Sequence, residues 1–248
     1  MPAPPASVLP VLALDTSTET VAAGLQTGRD AFTVQVPGGA LASAVLLPQL
    51  QGLLARAGLT WADVRAIAFG CGPGAFTGLR TACAVAQGLG YGLALPLLPL
   101  DSLRIVAEDA RVQAAADDGF KVVVAMDARM DEIYAASYGW QAGRWQVVRA
   151  PALLTLAAFN ADWCDAPPEA VAGSALKAFG DRLALPASTR RFAQEHDRAA
   201  ALLRLAVRAA QEGESVDAAD ALPLYLRDKV AFTTAERDAA KQRVASPP

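Results

Sequence analysis

The chain has 248 residues, of which 53% are hydrophobic and 19% charged, and its formal net charge is −3. A mean hydropathy of +0.26 and a pI near 5.2 exclude wholesale disorder and leave no cationic footprint for sequence-independent nucleic-acid binding, so any RNA contact falls to another subunit. The length permits one domain or two small ones, with apolar surface to hide internally or against a partner.

The opening residues, Met1 to Ser7, carry no basic residue and three prolines, and read as a loose tail and not a signal peptide. Val8 to Leu14, Val21 to Gln26 and Ala31 to Val36 are short apolar runs separated by Asp15-Thr16-Ser17-Thr18-Glu19-Thr20 and Gly28-Arg29-Asp30, the pattern of three strands joined by turns. A helical pattern follows from about Ser43 to Ala57, with Val45, Leu46, Leu47, Leu50, Leu53 and Leu54 at helix spacing and Gly58 as the stop. Val64 to Gly70 is a buried strand.

Next comes Gly70-Cys71-Gly72-Pro73-Gly74-Ala75-Phe76-Thr77-Gly78-Leu79-Arg80, a glycine-rich turn between an apolar strand and an apolar helix. Glycine allows positive φ and close approach, and Thr77 is placed to cap the helix. Two readings stand: a tight strand-to-helix connection, or a phosphate-binding turn at a helix N-terminus. The Walker A pattern fails for want of Gly-Lys-Ser/Thr, and the dinucleotide fingerprint is interrupted by Pro73.

The helix Leu79 to Leu93 carries Gly78, Ala82, Ala86 and Gly90 every four residues, a face with almost no bulk that suits close approach by another helix, of this chain or of a second protein. Thr81 to Leu100 is uncharged and long enough to span a bilayer, but Gln87, Pro96, Pro99 and the glycines favour a buried helix followed by a strand, Leu95 to Leu100. Asp101-Ser102 caps a further helix that fades by Ala114 to Gly119.

The pattern then restarts with strands at Val122 to Met126, Ile133 to Tyr138 and Trp145 to Val148, and helices near Leu153 to Asn160, Ala175 to Ala184 and Arg198 to Glu212. Asp220 to Val230 alternates as a late extended segment that returns to the first half, and the end from Ala235 is charged and proline-rich. Two strand-strand-strand-helix units predict a duplicated α/β architecture with a cleft between its halves. No metal site is expected: the single histidine, His196, lies in the polar run Glu195 to Arg198 and reads as a solvated helix start. Cys71, Cys83 and Cys164, without Cys-x-x-Cys spacing, suit reduced thiols in the cytoplasm.

Leu12-Ala13-Leu14-Asp15-Thr16-Ser17-Thr18-Glu19, the glycine turn, Asp101-Ser102-Leu103, Ala125-Met126-Asp127-Ala128-Arg129-Met130-Asp131-Glu132-Ile133-Tyr134 and Pro223-Leu224-Tyr225-Leu226-Arg227, in this order, resemble the TsaB (YeaZ) family over about Val11 to Val230. The resemblance implies an actin-like ATPase (ribonuclease H-like) fold of two domains with a reduced second domain. It places a first domain at 8–103, with 214–232 returning to it, a second domain at 104–213, and tails at 1–7 and 235–248.

It further implies a non-catalytic subunit of the machinery that makes threonylcarbamoyladenosine in tRNA, one that organises the TsaD paralogue and is joined by the TsaE ATPase. ATP and metal belong on those partners, with no cofactor in this chain. A homodimer is the expected substitute in isolation, tRNA is met only through the complex, and there is no membrane. In this superfamily the turn Asp15, Thr16, Ser17 faces nucleotide phosphates; here it is expected to be vestigial. The partner seam is expected at Leu46, Leu50, Leu53, Leu54, Gly78, Leu79, Ala82, Ala86 and Gly90, and the cleft at Gly72, Gly74, Thr77, Asp127 and Arg129. Many relatives carry histidine near position 42, where this chain has Ala42. The rivals are an active ATPase or sugar kinase of the same fold, and a Rossmann oxidoreductase.

Overall fold

The computed structural model describes residues 9–163 and 167–227; Val8, Cys164, both expected tails and the end of the expected segment Asp220 to Val230 lie outside them. The first sheet is built from β1 (Val11–Asp15), β2 (Thr20–Gln26), β3 (Ala31–Pro37), β4 (Ala66–Gly72) and β5 (Leu97–Asp101), in the order β3-β2-β1-β4-β5. The first three strands form an antiparallel meander, and β4 and β5 join parallel to β1. β1 is buried along its whole length, as its uninterrupted apolar run requires of a central strand.

Helices α1 (Ala42–Ala57) and α2 (Phe76–Leu93) lie side by side on one face of this sheet. α1 ends at Gly58 in the left-handed conformation. The uncharged stretch Thr81 to Leu100 is divided between α2 and β5, so no single helix uses it.

After α3 (Ser102–Gln113), whose N-terminus is capped by the Asp101 carboxylate accepting from Leu103 N at 2.9 Å, the second sheet comprises β6 (Phe120–Asp127), β7 (Glu132–Gln141) and β8 (Arg144–Thr155). It continues through α4 (Leu156–Ala161), β9 (Ala170–Ala172), α5 (Ala175–Phe179) and β10 (Arg190–Phe192). Its order, read from its antiparallel edge, is β8-β7-β6-β9-β10, with β9 and β10 parallel to β6. This repeats the order and sense of the first sheet strand for strand, which is the duplicated actin-like, ribonuclease H-like arrangement. Asp15 at the end of β1 and Asp127 at the end of β6 are therefore topological equivalents.

Several expected elements are corrected. The strand at Trp145 to Val148 extends to Thr155, because Leu153 and Leu154 pair with Tyr134 and Ile133 and do not enter a helix. α4 begins only after Thr155, whose hydroxyl accepts from Ala158 N at 3.2 Å. The helix at Ala175 to Ala184 stops at Phe179, where Gly180 turns the chain at φ +53°. β9 and β10, three residues each, carry too little periodicity to be seen in sequence.

The domain assignment of α6 (Arg198–Glu212) also changes. Leu202, Leu203, Leu205, Ala206 and Ala209 cover the second face of the first sheet, against Val11, Ala13, Ala22, Ala66 and Ala68. Helix α6 thus belongs to the first half and not to the unit 104–213, since small residues on that sheet face leave room for a whole helix to close down. α3 sits between the halves, with Ile105 in this layer and Val106, Ala107 and Ala110 in the core of the second sheet.

Candidate functional site

A cavity of about 820 Å³ opens between the halves at the C-terminal ends of β1 and β6. It is walled by the β1–β2 turn, the start of α2, the β6–β7 hairpin, α5, the start of α6 and Leu224 to Arg227. Asp127, Arg129 and Gly74 line it. Gly72 is buried and Thr77 is exposed outside the lining. Thr77 does not cap α2: Ala75 holds the N-cap position with no side-chain hydrogen bond.

The expected phosphate turn is occupied from within. Asp15 is fully buried and accepts from Arg198 Nε at 2.9 Å, from Ser17 Oγ at 3.0 Å and from Ser17 N at 3.2 Å, all on Oδ1. Its other oxygen accepts from Ser102 Oγ at 3.2 Å. Ser17 Oγ accepts from Arg198 Nη2 at 2.9 Å, and Thr16 Oγ1 donates to Gly78 O at 2.6 Å. Burial acts to lower the Arg198 guanidinium's pKa, but the charges of Asp15 and Glu195 more than offset it and hold it above the usual arginine value. Every polar side chain of Asp15, Thr16 and Ser17 is thus spent inside the protein.

The glycine spacing has the same cause. A Cβ on Gly78 would stand 1.8 Å from Thr16 O, and one on Gly70 would stand 1.7 Å from Asp15 Oδ2. α2 and the end of β4 therefore close directly onto the turn after β1. The glycines serve the approach of one backbone to another.

The second half has its own version of this corner. Gly173, between β9 and α5, has φ +120°, and Gly72, at the end of the equivalent strand β4, has φ +116°. Ala172-Gly173-Ser174 is too short a signal to read as a loop in sequence, yet it forms the matching turn. Ser174 Oγ accepts from Asp127 N at 3.0 Å, and Asp127 Oδ1 accepts from Arg129 N at 2.8 Å. The Arg129 side chain lies 3.5 Å from Asp127 and 3.9 Å from Glu19 across the cleft.

The hairpin that carries Arg129 is strained. Arg129, Met130 and Asp131 follow one another at φ +64°, +58° and +59°, each costing a non-glycine residue about 1 kcal/mol or more. Arg182 grips Asp131 with two hydrogen bonds of 3.0 and 2.8 Å, which hold that carboxyl below the usual aspartate range. Arg227 Nη2 donates to Ala128 O at 2.9 Å and pairs with Glu132. Away from the cleft lining, the Tyr138 hydroxyl donates to Asp101, joining β7 to β5; burial raises the pKa of both groups.

The residues expected at a partner seam are inside the molecule. Leu46, Leu50, Leu53 and Leu54 of α1, and Gly78, Leu79, Ala82, Ala86 and Gly90 of α2, are all buried, and most belong to the core between these helices and the sheet. The small-residue face is thus used for packing within this chain. The opposite face is what α1 and α2 present to solvent: Leu41, Leu47 and Tyr91 are 65%, 41% and 66% exposed, beside Ala44, Pro48, Gly52, Ala84 and Gly88. No charged residue lies between Asp30 and Arg56, or between Arg80 and Asp101. Among the described residues no group of three His, Cys, Asp or Glu side chains is placed to hold a metal ion.

Sequence reasoning missed Arg198, although a signal was present. Arg198, Leu202, Leu205 and Ala209 fall on one helical stripe, so the arginine heads the buried face of α6 and needs an internal counter-charge.

Comparison with the solved structure of YeaZ from Pseudomonas aeruginosa gives a TM-score of 0.78 at 36% identity, covering 88% of this chain and 99% of that one. The chain belongs to the TsaB (YeaZ) family. It is 30% identical to the Escherichia coli protein named tRNA threonylcarbamoyladenosine biosynthesis protein TsaB, over 75% of this chain and 81% of that protein. Against the Haemophilus influenzae protein of the same name it is 39% identical over 51% of this chain, spanning about half (52%) of that relative. Residues 42–189 also match the family model described as "TsaD: tRNA N6-adenosine threonylcarbamoyltransferase". The TsaB-family chain thus shares its central part with TsaD.

Proposed function

We propose that this chain is a non-catalytic subunit of the assembly that forms threonylcarbamoyladenosine in tRNA, and that it organises a TsaD-type paralogue. The observation that carries the non-catalytic reading is the Arg198–Asp15 pair. A carboxylate already neutralised by a buried guanidinium, beside two hydroxyls already committed, has nothing left to hold a metal-bound water or a phosphate. The names of the relatives support the pathway.

The partner seat is the outer face of α1 and α2. It is apolar, uncharged and carried on rigid helices, and apolar burial there contributes about 25 cal/mol per Å², less the cost of association. A paralogue with equivalent helices matches it, and a second copy of this chain substitutes in isolation. TsaE joins the pair, the transfer chemistry with its ATP and metal sits on the partners, tRNA is reached only through the complex, and the whole operates in the cytoplasm.

Reconstitution tests this. Modification of tRNA by the partner proteins should require this chain, while the chain alone turns over no ATP; full modification without it overturns the proposal. The second reading, an active ATPase or sugar kinase, draws on the size of the cleft. Micromolar ATP and magnesium binding by the chain alone, abolished by Asp15→Ala, would favour it.

A further inference from the structure

Residues 221–227 form no helix or strand, yet four of the seven are fastened along one line across the molecule. Ala221 is fully buried, and its carbonyl accepts from Cys83 Sγ at 2.9 Å and Gln87 Nε2 at 3.0 Å, both on α2. Leu224 N donates to Cys71 O at 2.7 Å, and Leu224 O would stand 2.8 Å from a Cβ at position 72. Gly72 is therefore required twice, by its φ of +116° and by the chain passing over it. The Tyr225 ring rests on Phe76 with centroids 5.2 Å apart, and its hydroxyl accepts from Arg80 Nε at 3.1 Å.

Arg227 then leaves the first half. It reaches the β6–β7 hairpin, where it hydrogen-bonds Ala128 O and pairs with Glu132, with its own side chain 15% exposed. Leu224 to Arg227 form one wall of the cleft. The contact beside it, Arg129 to Glu19 at 3.9 Å, joins two side chains that are 76% and 81% exposed, and such a pair contributes little. The Asp101–Tyr138 contact also joins the halves, but neither residue lines the cleft.

We infer that residues 221–227 act as a strap whose Arg227 clasps the strained hairpin of the second half to the first and so fixes the width of the cleft. Three successive left-handed residues hold their shape only while their surroundings over-determine it, and to the grip of Arg182 on Asp131 from within the second half the clasp adds a constraint from the other half of the molecule. Releasing it loosens the hairpin without touching either core. The inference stands on this chain's own contacts and is independent of the proposed partner.

Hydrogen exchange on the full chain alone tests it, comparing the unaltered protein with Arg227→Ala and Glu132→Gln. In Arg227→Ala, the amides of 128–132 should exchange about tenfold faster, with those of β1 and β4 unchanged. Glu132→Gln should give a smaller rise at the same amides, and raising the salt to about 1 M should do likewise in the unaltered protein. Hairpin exchange unchanged within about twofold in Glu132→Gln and in high salt overturns the inference, even if Arg227→Ala fails to fold. So does a loss of protection in Glu132→Gln that extends equally to β1 and β4.

Discussion

Arg198 donates to Asp15 at 2.9 Å with neither side chain open to solvent, which ties the N-terminus of α6 to the end of β1 across 183 residues of sequence. Removing one partner leaves the other charge buried without compensation. Arg198→Ala should lower the unfolding free energy by about 3–5 kcal/mol in urea titration. The double variant Asp15→Asn with Arg198→Met should recover more than half of that loss, because two neutral groups need no counter-charge. A single-variant cost below about 1 kcal/mol would show that water reaches the pair.

Gly78→Ala tests the close approach of α2 to the β1–β2 turn. A methyl group there meets Thr16 O at 1.8 Å, and backbone on both sides leaves little room to yield. The variant should lose about 3 kcal/mol or more of stability, whereas Gly88→Ala, where nothing lies within 4 Å, should gain a few tenths through helix propensity.

The partner seat is tested on the face that α1 and α2 show to solvent. Leu47→Arg and Tyr91→Asp should leave the unfolding free energy of the isolated chain nearly unchanged, within about 0.5 kcal/mol, and abolish co-elution with a TsaD-type partner. Ala86→Trp acts differently. Ala86 is fully buried in this chain's own core, so the larger ring should destabilise the fold itself.

Glu108 gives a pH signature. Burial would raise its pKa, but hydrogen bonds and charge from Arg111, together with Arg204 and Trp145, outweigh burial and hold the carboxyl below the usual glutamate range. A carboxylate whose pKa is depressed by folding contributes stability that is complete above its unfolded value, about 4.3, and is lost as pH falls through the folded one. Glu108→Gln should therefore flatten the acid limb of the stability profile below about pH 4.5 in denaturant titrations. An unchanged slope would mean that the three partners do not act on this group.

The duplicated α/β plan was legible because its signals are local. The apolar runs of β1, β4 and β6 and the helix spacing of α1, α2 and α6 all appear in short windows. What could not be read was which helix covers which sheet face: α6 follows the second sheet in the chain and packs on the first. The leucines of α1 and the small residues of α2 were recognisable as an apolar face, but a sequence does not say whether such a face meets its own sheet or another protein. Asp15, Thr16 and Ser17 were identifiable as a polar turn, while the arginine that occupies it comes from 181 residues beyond Ser17. Ala172-Gly173-Ser174 is too slight in sequence to count as a second glycine loop, because one glycine in a three-residue context carries almost no information until its topological equivalent is known.

The return of α6 to the first sheet has a consequence for the order of assembly. A ribosome releases β1 early, with Asp15 destined for an interior whose counter-ion is not made until residue 198. Until then one face of the first sheet is uncovered and its carboxylate is without its counter-ion. The second sheet, complete by β10, can be finished before the first is sealed. In chain order, the first sheet is therefore sealed by α6 only after the second sheet is complete.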